Sequence, residues 1–371
     1  MNANKFVTQY STLNTQHGLN APLPLTALST QHSTLFEFRP YQRRFTKPLI
    51  THHGVWDTRE GIILRLVDEA GKIGWGEIAP ISWFGSETLE KALDFCHQLP
   101  QEITPETIFA IPDDLPACQF GFESALGDGV HTSRITPLNP PLEMGETGKP
   151  SSGNQEKLVY SGLLPAGEVA LQQWETLWER GYRTFKWKIG VDAIAKELAI
   201  FDNLTRSLPA SAKLRLDANG GLSYTEAKLW LETCDNIQGE LPIEIEFLEQ
   251  PLPVEELAAM LELSRFYKTA IALDESVATL PQIISCYQQG WRGIFVIKPG
   301  IVGSPSKLRH FCQQHQIDAV FSSVFETVIG KQAALNLAAE LSRKNRAVGF
   351  GVDHFFVQAE VTSPENLWNN L

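Results

Sequence analysis

Short apolar runs alternate with longer amphipathic segments from residue 158 to residue 353. The runs have the length of buried strands, and segments such as 169–180 and 225–234 have helical spacing. The runs begin at Leu158, Thr184, Lys213, Glu246, Ala270, Gly293, Ala319 and Ala347. Strand–helix alternation predicts a parallel sheet, and eight such units predict a (β/α)8-type barrel. The alternative is an open doubly wound sheet, but no GxGxxG motif follows the first strand.

The preceding part of the chain has a different pattern. Residues 35–44, 61–67 and 73–77 have the apolar content of strands, and a turn at residues 68–71 separates the last two. A helix is expected to follow, with Ser86 as its N-cap. Strands followed by helices predict a small α+β domain over residues 34–131.

Two segments lack any hydrophobic period. Residues 1–33 are rich in Thr, Gln, Asn and Ser, which predicts a loose N-terminal arm. Residues 132–157 contain four prolines and three glycines, so we expect a linker or surface insertion there. The barrel is then expected over residues 158–353, and residues 354–371 are expected to return toward the N-terminal α+β domain.

Composition narrows the class of protein. Hydrophobic residues make up 43% of the 371 residues and the formal net charge is −12, so we expect a folded protein that binds neither nucleic acid nor anionic membranes. The five cysteines form no CxxC pair, and no apolar run is long enough to span a bilayer. The first residues lack the build of a signal peptide, so a cytoplasmic location is expected.

Ionisable side chains end five consecutive predicted barrel strands. They are Lys186 and Lys188, then Asp217 followed by Asn219, then Glu249, then Asp274 with Glu275, and then Lys298. Active sites of barrels lie at the C-terminal ends of the strands. Because buried strands rarely place charges there without a purpose, these residues are candidates for the chemistry of the protein.

The three carboxylates of Asp217, Glu249 and Asp274 lie on neighbouring predicted strands. Converging carboxylates repel one another unless a cation lies among them, and ligation by oxygen alone favours Mg²⁺ over Zn²⁺. The alternative is that each carboxylate pairs with a nearby lysine or arginine. That alternative suits a single aspartate, whereas three acids at matched strand ends favour the metal.

Two lysines are candidates for proton transfer. Lys186 and Lys188 share one face of their strand because side chains alternate along a strand. A lysine beside a cation is more easily deprotonated, so Lys188 could act as a general base that removes a proton next to a carboxylate. Lys298 would lie across from it. For Lys186, a simple ion pair is an equally good interpretation.

The order KxK, DxN, E, DE and K resembles the muconate-cycloisomerase branch of the enolase superfamily, over roughly residues 35–356. The resemblance implies a modified (β/α)7β TIM-type barrel with an N-terminal α+β capping domain. It implies Mg²⁺, with Mn²⁺ as an alternative ion, bound by Asp217, Glu249 and Asp274. It also implies Lys188 as the acid/base and Lys298 on the other face of the substrate. Lys186, Asn219 and Glu275 would be the outer partners.

Further motifs are similar to the dehydratases of this branch. They are Gly76-Glu77-Ile78-Ala79-Pro80, the segment 115–125, Ser322-Ser323-Val324-Phe325-Glu326-Thr327 with Gly330, and Gly349-Phe350-Gly351. The resemblance implies a small-molecule carboxylate substrate that contacts Ser322, Ser323 and Gly351. It implies loss of water from a hydroxylated succinyl-cyclohexadiene carboxylate in menaquinone or phylloquinone biosynthesis. A racemase or epimerase of N-acylamino acids or dipeptides is the alternative.

Two segments of the N-terminal domain, 46–58 and 80–86, are candidate lids over the site. Trp83 and Phe84 could close over an apolar substrate chain and exclude water. They could equally be ordinary aromatic residues of a domain interface.

Overall fold

The computed structural model describes residues 33–51, 54–127, 158–357, 361 and 363–371. The predicted arm over residues 1–33, apart from Ser33, and the predicted insertion at 132–157 lie outside the described residues. Two residues of the candidate lid 46–58, at positions 52 and 53, also lie outside them. In the described part of the chain, no helix is long and apolar enough to cross a membrane.

An antiparallel sheet of four strands forms the N-terminal part, with the order β3-β2-β1-β4. Its strands are β1 (Thr34–Thr51), β2 (Gly54–Val67), β3 (Ile73–Ile78) and β4 (Glu102–Ile103). Three helices accompany it: α1 (Leu89–Gln98), α2 (Pro105–Phe109) and α3 (Pro116–Leu126). The first two strands extend beyond their predicted ends because they form one long hairpin, paired from Leu35 with Val67 to Thr51 with Gly54.

The start of helix α1 corrects the expectation for Ser86. Thr88 is the N-cap, and its side chain accepts a hydrogen bond from the Lys91 amide at 3.2 Å. The Ser86 hydroxyl instead accepts a hydrogen bond from the Ile81 amide at 2.7 Å and so closes the preceding loop. Both residues can cap a helix, and the loop contact decides between them.

Strand β3 and helix α3 approach so closely that side chains are excluded at two positions. A Cβ atom at Gly76 would lie 2.0 Å from the Gly121 carbonyl oxygen, and one at Gly74 would lie 1.8 Å from the Ala125 carbonyl oxygen. The two glycines therefore allow the helix to pack directly on the strand backbone. This contact positions Glu77, the next residue of the strand.

Seven parallel strands follow, in the order β11-β10-β9-β8-β7-β6-β5. They are β5 (Ser161–Leu164), β6 (Thr184–Lys188), β7 (Lys213–Asp217), β8 (Glu244–Glu249), β9 (Ile271–Leu273), β10 (Ile294–Ile297) and β11 (Asp318–Phe321). The helices are α4 (Ala170–Glu179), α5 (Ile194–Ser207), α6 (Tyr224–Glu240), α7 (Leu257–Phe266), α8 (Leu280–Gln288), α9 (Pro299–Val302), α10 (Pro305–His315), α11 (Val328–Leu341) and α12 (Pro364–Asn369).

The eighth position of the barrel is filled by an irregular segment. Val348 bridges to Tyr160 beside β5, and Gly349 bridges to Ser322 beside β11, both in parallel. The run that begins at Ala347 was predicted as a full strand, and it forms these isolated bridges instead. They still join the first and last strands, so the predicted barrel of (β/α)7β type with an antiparallel capping sheet is confirmed.

Separate hydrophobic clusters underlie the two parts. The larger one fills the space between the barrel strands and their helices, and a second is centred on the N-terminal sheet and helices α1 and α3. The C-terminal segment contacts the sheet: Phe356 stacks on Phe45 with ring centroids 4.9 Å apart, and Arg39 donates to the Trp368 carbonyl oxygen at 2.6 Å. We retain the division into capping domain, barrel and returning C-terminal segment as a proposal supported by these clusters.

Candidate active site

A cavity of about 460 Å³ opens at the C-terminal ends of the barrel strands, beneath the capping domain. Most of the predicted site residues line it: Lys186, Lys188, Asp217, Asn219, Glu249, Asp274, Lys298, Ser322, Ser323 and Gly351. Glu275 does not line the cavity and lies behind Asn219. The strand ends thus bring the predicted residues together in one place.

The register of the sheet sets the positions of the three carboxylates. Asp217 pairs with Glu249 across β7 and β8, and Glu249 pairs with Ala272, two residues before Asp274. All three acids are buried, with exposed fractions of 8%, 1% and 3%. Because parallel strands end on the same side of a sheet, the three side chains enter the cavity from the same end of the barrel.

Lysines partner these carboxylates. The Lys186 ammonium lies 2.8 Å from Asp217 Oδ2 and 2.7 Å from Glu249 Oε1, and Lys298 contacts Asp274. Across the described ranges of the chain, no three His, Cys, Asp or Glu side chains lie close enough to form a ready-made cation site. The acids that are predicted to bind a metal are therefore the same acids that pair with lysines, and metal ligation stays a prediction.

The charge balance fits a cation at this place. Burial raises the pKa of Glu249, and the negative charges of Asp217 and Asp274 contribute, so that it reaches about 8 despite Lys186. Burial also opposes ionisation of Asp217, but the Lys186 ammonium lowers its pKa on balance. Burial and the neighbouring acids therefore outweigh Lys186 at Glu249, and a hard divalent cation with oxygen ligands would favour the ionised form of this carboxyl.

Asn219 and Glu275 lie behind the carboxylates as a pair. The Asn219 side-chain amide donates to Glu275 Oε1 at 3.1 Å, and its backbone amide donates to Asp217 Oδ1 at 3.2 Å. Asn219 has a φ of 44°, which asparagine adopts more readily than most residues. Burial and the charge of Asp274 raise the pKa of Glu275 to about 7. Asn219 therefore orients Asp217, and Glu275 holds the Asn219 side chain from behind the cavity.

Lys188 and Lys298 face each other across the cavity. Lys188 ends β6 and Lys298 follows β10, four positions away in a ring of eight, which is the opposite wall of the barrel. The Lys298 ammonium also lies 4.0 Å from the centre of the Phe84 ring. Among the residues that the structure describes, no ion pair is found for Lys188 within 4.0 Å. Lys188 is therefore the lysine whose amine is available to a substrate.

The residues predicted to contact the substrate, Ser322, Ser323 and Gly351, line the cavity after β11 and at the eighth position of the barrel. Ser323 Oγ donates to Glu326 Oε2 at 2.8 Å and accepts from the Phe325 amide at 2.9 Å, so one lone pair remains to accept from a ligand. A Cβ at Gly349 would lie 2.8 Å from Ser322 Oγ, and one at Gly351 would lie 3.4 Å from the Tyr182 hydroxyl oxygen. Glycine at position 349 therefore lets the Ser322 hydroxyl pack against the backbone there.

An apolar wall completes the cavity, and it includes residues of both candidate lids, 46–58 and 80–86. Trp83 and Phe84 of the candidate lid 80–86 line the cavity, as do Trp56 and Phe325. The Trp56 ring makes edge contacts with Trp83 at 5.0 Å and Phe325 at 5.5 Å between centroids. Such contacts give the cavity one apolar side. This position of Trp83 fits both interpretations, as a residue of a lid and as a residue of a domain interface.

Sequence reasoning missed two buried polar residues. Gln250 Oε1 accepts from the Asp274 amide at 3.0 Å, and its Nε2 donates to Ser276 Oγ at 2.8 Å. Arg215 lines the floor of the cavity and donates to Glu246 at 2.7 Å. Gln250 directly follows Glu249, and Arg215 lies two residues before Asp217. These positions were the signal in the sequence that could have indicated them.

The capped barrel with acids and lysines at successive strand ends defines the class of enzyme. The chain belongs to the enolase superfamily, because the family model described as "Enolase C-terminal domain-like" matches residues 169–367. A narrower model, described as "MenC, N-terminal domain", matches residues 31–128, the capping part of the chain. The predicted family resemblance is confirmed by these matches.

Relatives point to one activity more strongly than to others. An o-succinylbenzoate synthase of Thermosynechococcus vestitus is 39% identical over 91% of this chain and 99% of that protein. A crystal structure of o-succinylbenzoate synthase from Thermosynechococcus elongatus, complexed with Mg in the active site, matches with a TM-score of 0.78 at 38% identity, covering 91% of this chain and 100% of that one. An L-Ala-D/L-Glu epimerase of Bacillus subtilis is 26% identical over 81% of this chain and 82% of that protein.

Proposed function

We propose that the chain is an o-succinylbenzoate synthase, a hydro-lyase that removes water from a hydroxylated succinyl-cyclohexadiene carboxylate. The observation that carries this proposal is the placement of Lys188 and Lys298 on opposite walls of a cavity that three buried carboxylates also line. The similarity to a synthase along nearly the whole chain supports it.

Lys188 is the proposed proton carrier. As a neutral amine it accepts the proton from the carbon next to the ring carboxylate, and the electrons of that bond form the new double bond of the ring. The hydroxyl group on the neighbouring carbon departs with a proton and becomes water. In a syn elimination the proton and the hydroxyl leave from one face, so the same lysine can return its proton to the hydroxyl.

Asp217, Glu249 and Asp274 are the proposed ligands of Mg²⁺, with Mn²⁺ as an alternative ion. When bound, the ion supplies positive charge beside the substrate carboxylate while negative charge develops there. Lys298 adds a fixed cation on the opposite wall. The apolar wall of Trp83, Phe325 and their neighbours keeps water from the reacting carbon.

Direct assay tests the proposal. The purified protein with Mg²⁺ and the cyclohexadiene substrate should give the aromatic acid, followed by its ultraviolet absorbance. Asp217→Asn protein purified in the same way controls for a contaminating synthase. If the wild-type protein forms no aromatic product but exchanges the α-proton of N-acylamino acids or dipeptides in heavy water, the epimerase alternative replaces the proposal.

We also propose a place for this reaction in menaquinone or phylloquinone biosynthesis. Complementation tests it, because a strain that lacks its own o-succinylbenzoate synthase should regain quinone synthesis when it expresses this chain. Failure of a well-expressed, active protein to restore the quinone would argue against that pathway.

A further inference from the structure

The segment 322–327, which follows β11, is held in place by charged residues of the capping domain. It contributes Ser322, Ser323 and Phe325 to the cavity. Phe325 has a φ of 62°, a left-handed conformation that is unfavourable for a bulky residue. A segment in this conformation needs contacts that hold it, and these come from both domains.

Arg59 of strand β2 supplies the first contact. Its guanidinium is buried, and its Nε donates to the Val324 carbonyl oxygen at 2.9 Å. Its Nη1 donates to the Pro80 carbonyl oxygen at 2.9 Å, and its Nη2 donates to that of Ala79. One side chain therefore joins the segment 322–327 to the loop that leads to Trp83, and both segments contribute residues to the cavity wall.

Glu77 of strand β3 supplies the second contact. Its buried carboxylate accepts from the Thr327 amide at 2.9 Å, the Gly330 amide at 2.9 Å and the Tyr41 hydroxyl at 2.6 Å. These amides belong to the first turn of helix α11 and its N-cap, where a carboxylate is favoured. A Cβ at Gly330 would lie 2.9 Å from Glu77 Oε2, so glycine permits the approach.

A third contact lies within the segment. Glu326 Oε2 accepts from Ser323 Oγ at 2.8 Å and from the Val324 amide at 2.6 Å. Arg43 of strand β1 donates to the Glu326 carbonyl oxygen at 3.2 Å. Within this set, Arg59 is the residue that also contacts the lid segment, which singles it out.

We propose that Arg59 is a positioning residue that fixes the separation between residues 79–84, which overlap the candidate lid 80–86, and the segment 322–327. It touches neither the predicted metal ligands nor the lysines, and it acts on substrate binding through the backbone of both walls. The link to substrate binding rests on the proposed function, whereas the link between the two walls does not.

Kinetics of Arg59→Met test the effect on substrate. Loss of charge-assisted hydrogen bonds to both walls should raise KM by about tenfold or more, while kcat per folded molecule stays within about threefold and Mn²⁺ affinity is unchanged. A purely structural role would lower the active fraction and leave KM as it is, and that result would overturn the proposal. Arg65→Met removes a half-buried arginine of the same strand as Arg59, one that pairs with Glu37 of β1; it is the matched control and should behave as wild type.

Hydrogen–deuterium exchange tests the same idea without any substrate. In Arg59→Met, peptides covering 79–84 and 322–327 should both exchange faster, whereas peptides from strand β7 should not. If Arg59→Met does not fold, Arg59→Lys, which can reach only one wall at a time, should give the same pattern more weakly. Unchanged exchange in both segments would overturn the proposal. Absence of aromatic product with the wild-type protein would instead refute the proposed function and leave this measurement decisive for Arg59.

Discussion

The two sides of the cavity are built in opposite ways. On the charged side, Asp217 and Glu249 extend from adjacent strands whose register fixes them to within one residue. On the apolar side, Trp56, Trp83 and Phe325 come from three separate segments of two domains and meet through edge contacts of their rings. The difference suggests that the chemistry rests on the rigid sheet, while the fit to a substrate rests on contacts between domains.

The charged side should fail completely when one acid is removed. Glu249→Gln should abolish tight Mn²⁺ binding and lower turnover by about a thousandfold or more, because a metal supplies several kcal/mol of charge stabilisation. Electron paramagnetic resonance of a Mn²⁺ titration measures the binding. Retained Mn²⁺ affinity in this variant would remove Glu249 from the ligand set. Glu244→Gln, at the other end of the same strand, is the control.

Stability should depend on pH through a residue behind the apolar side. Burial, helped by the charge of Glu77, raises the pKa of Glu326 from 4.5 to about 7. Its contribution is therefore complete below about pH 4.5 and is lost as pH rises to about 7, which corresponds to roughly 3 kcal/mol in the free energy of unfolding. Glu326→Gln should remove this contribution to the pH dependence of the unfolding free energy, measured in urea between pH 5 and 7. The change in slope cannot exceed about 1.4 kcal/mol per pH unit, because a single proton is involved.

The surface acid Glu340, which pairs with Arg309, provides the control for that measurement. Glu340→Gln should keep the wild-type pH dependence. An unchanged slope in Glu326→Gln would show that its carboxyl ionises as freely in the folded protein as in the unfolded chain.

A smaller loss of metal affinity is expected when a residue that supports the charged side is replaced. Gln250→Met removes the acceptor of the Asp274 amide, and loss of such outer partners typically costs about 10- to 100-fold in metal affinity. The Mn²⁺ dissociation constant measures it. Gln119→Met, at a buried glutamine of helix α3, is the matched control and should leave the constant unchanged. Equal constants in all three proteins would show that the sheet alone positions Asp274.

The apolar side should show the smallest effect. Trp83→Ala removes one ring contact with Trp56, and an aromatic pair contributes about 0.5–1.5 kcal/mol, so KM should rise by about two- to tenfold with little change in kcat. Phe266→Ala, at an exposed ring on helix α7, serves as control. A large fall in kcat with constant KM would place Trp83 on the chemical side of the cavity.

The same division explains what could be predicted from the sequence. Asp217, Glu249 and Asp274 each follow an apolar run, so strand ends alone indicated that they meet. Arg215 lies inside the barrel by the same alternation, but its partner Glu246 is the residue that a register shift in β8 leaves unpaired, and no local pattern reveals that shift.

Less of the apolar side could be predicted from the sequence. Phe325 reaches its position through a left-handed backbone, and Arg59 contacts Val324 across 265 positions of the chain. The motif that contains Glu77 was noted as a resemblance, but its role depends on packing between the domains. Contacts between distant segments leave no periodic signal in the sequence, so only the three-dimensional structure reveals this side of the cavity.

The central claim is that Lys188 carries the proton, and paired arginine variants test it most directly. Arginine keeps the positive charge but does not deprotonate, so Lys188→Arg should bind Mn²⁺ normally and lose about 10²- to 10⁴-fold in turnover. Lys298→Arg should lose much less, because Lys298 is proposed only as a cation. Comparable collapse of turnover in both folded variants would contradict the account and favour two-base proton transfer, as in a racemase.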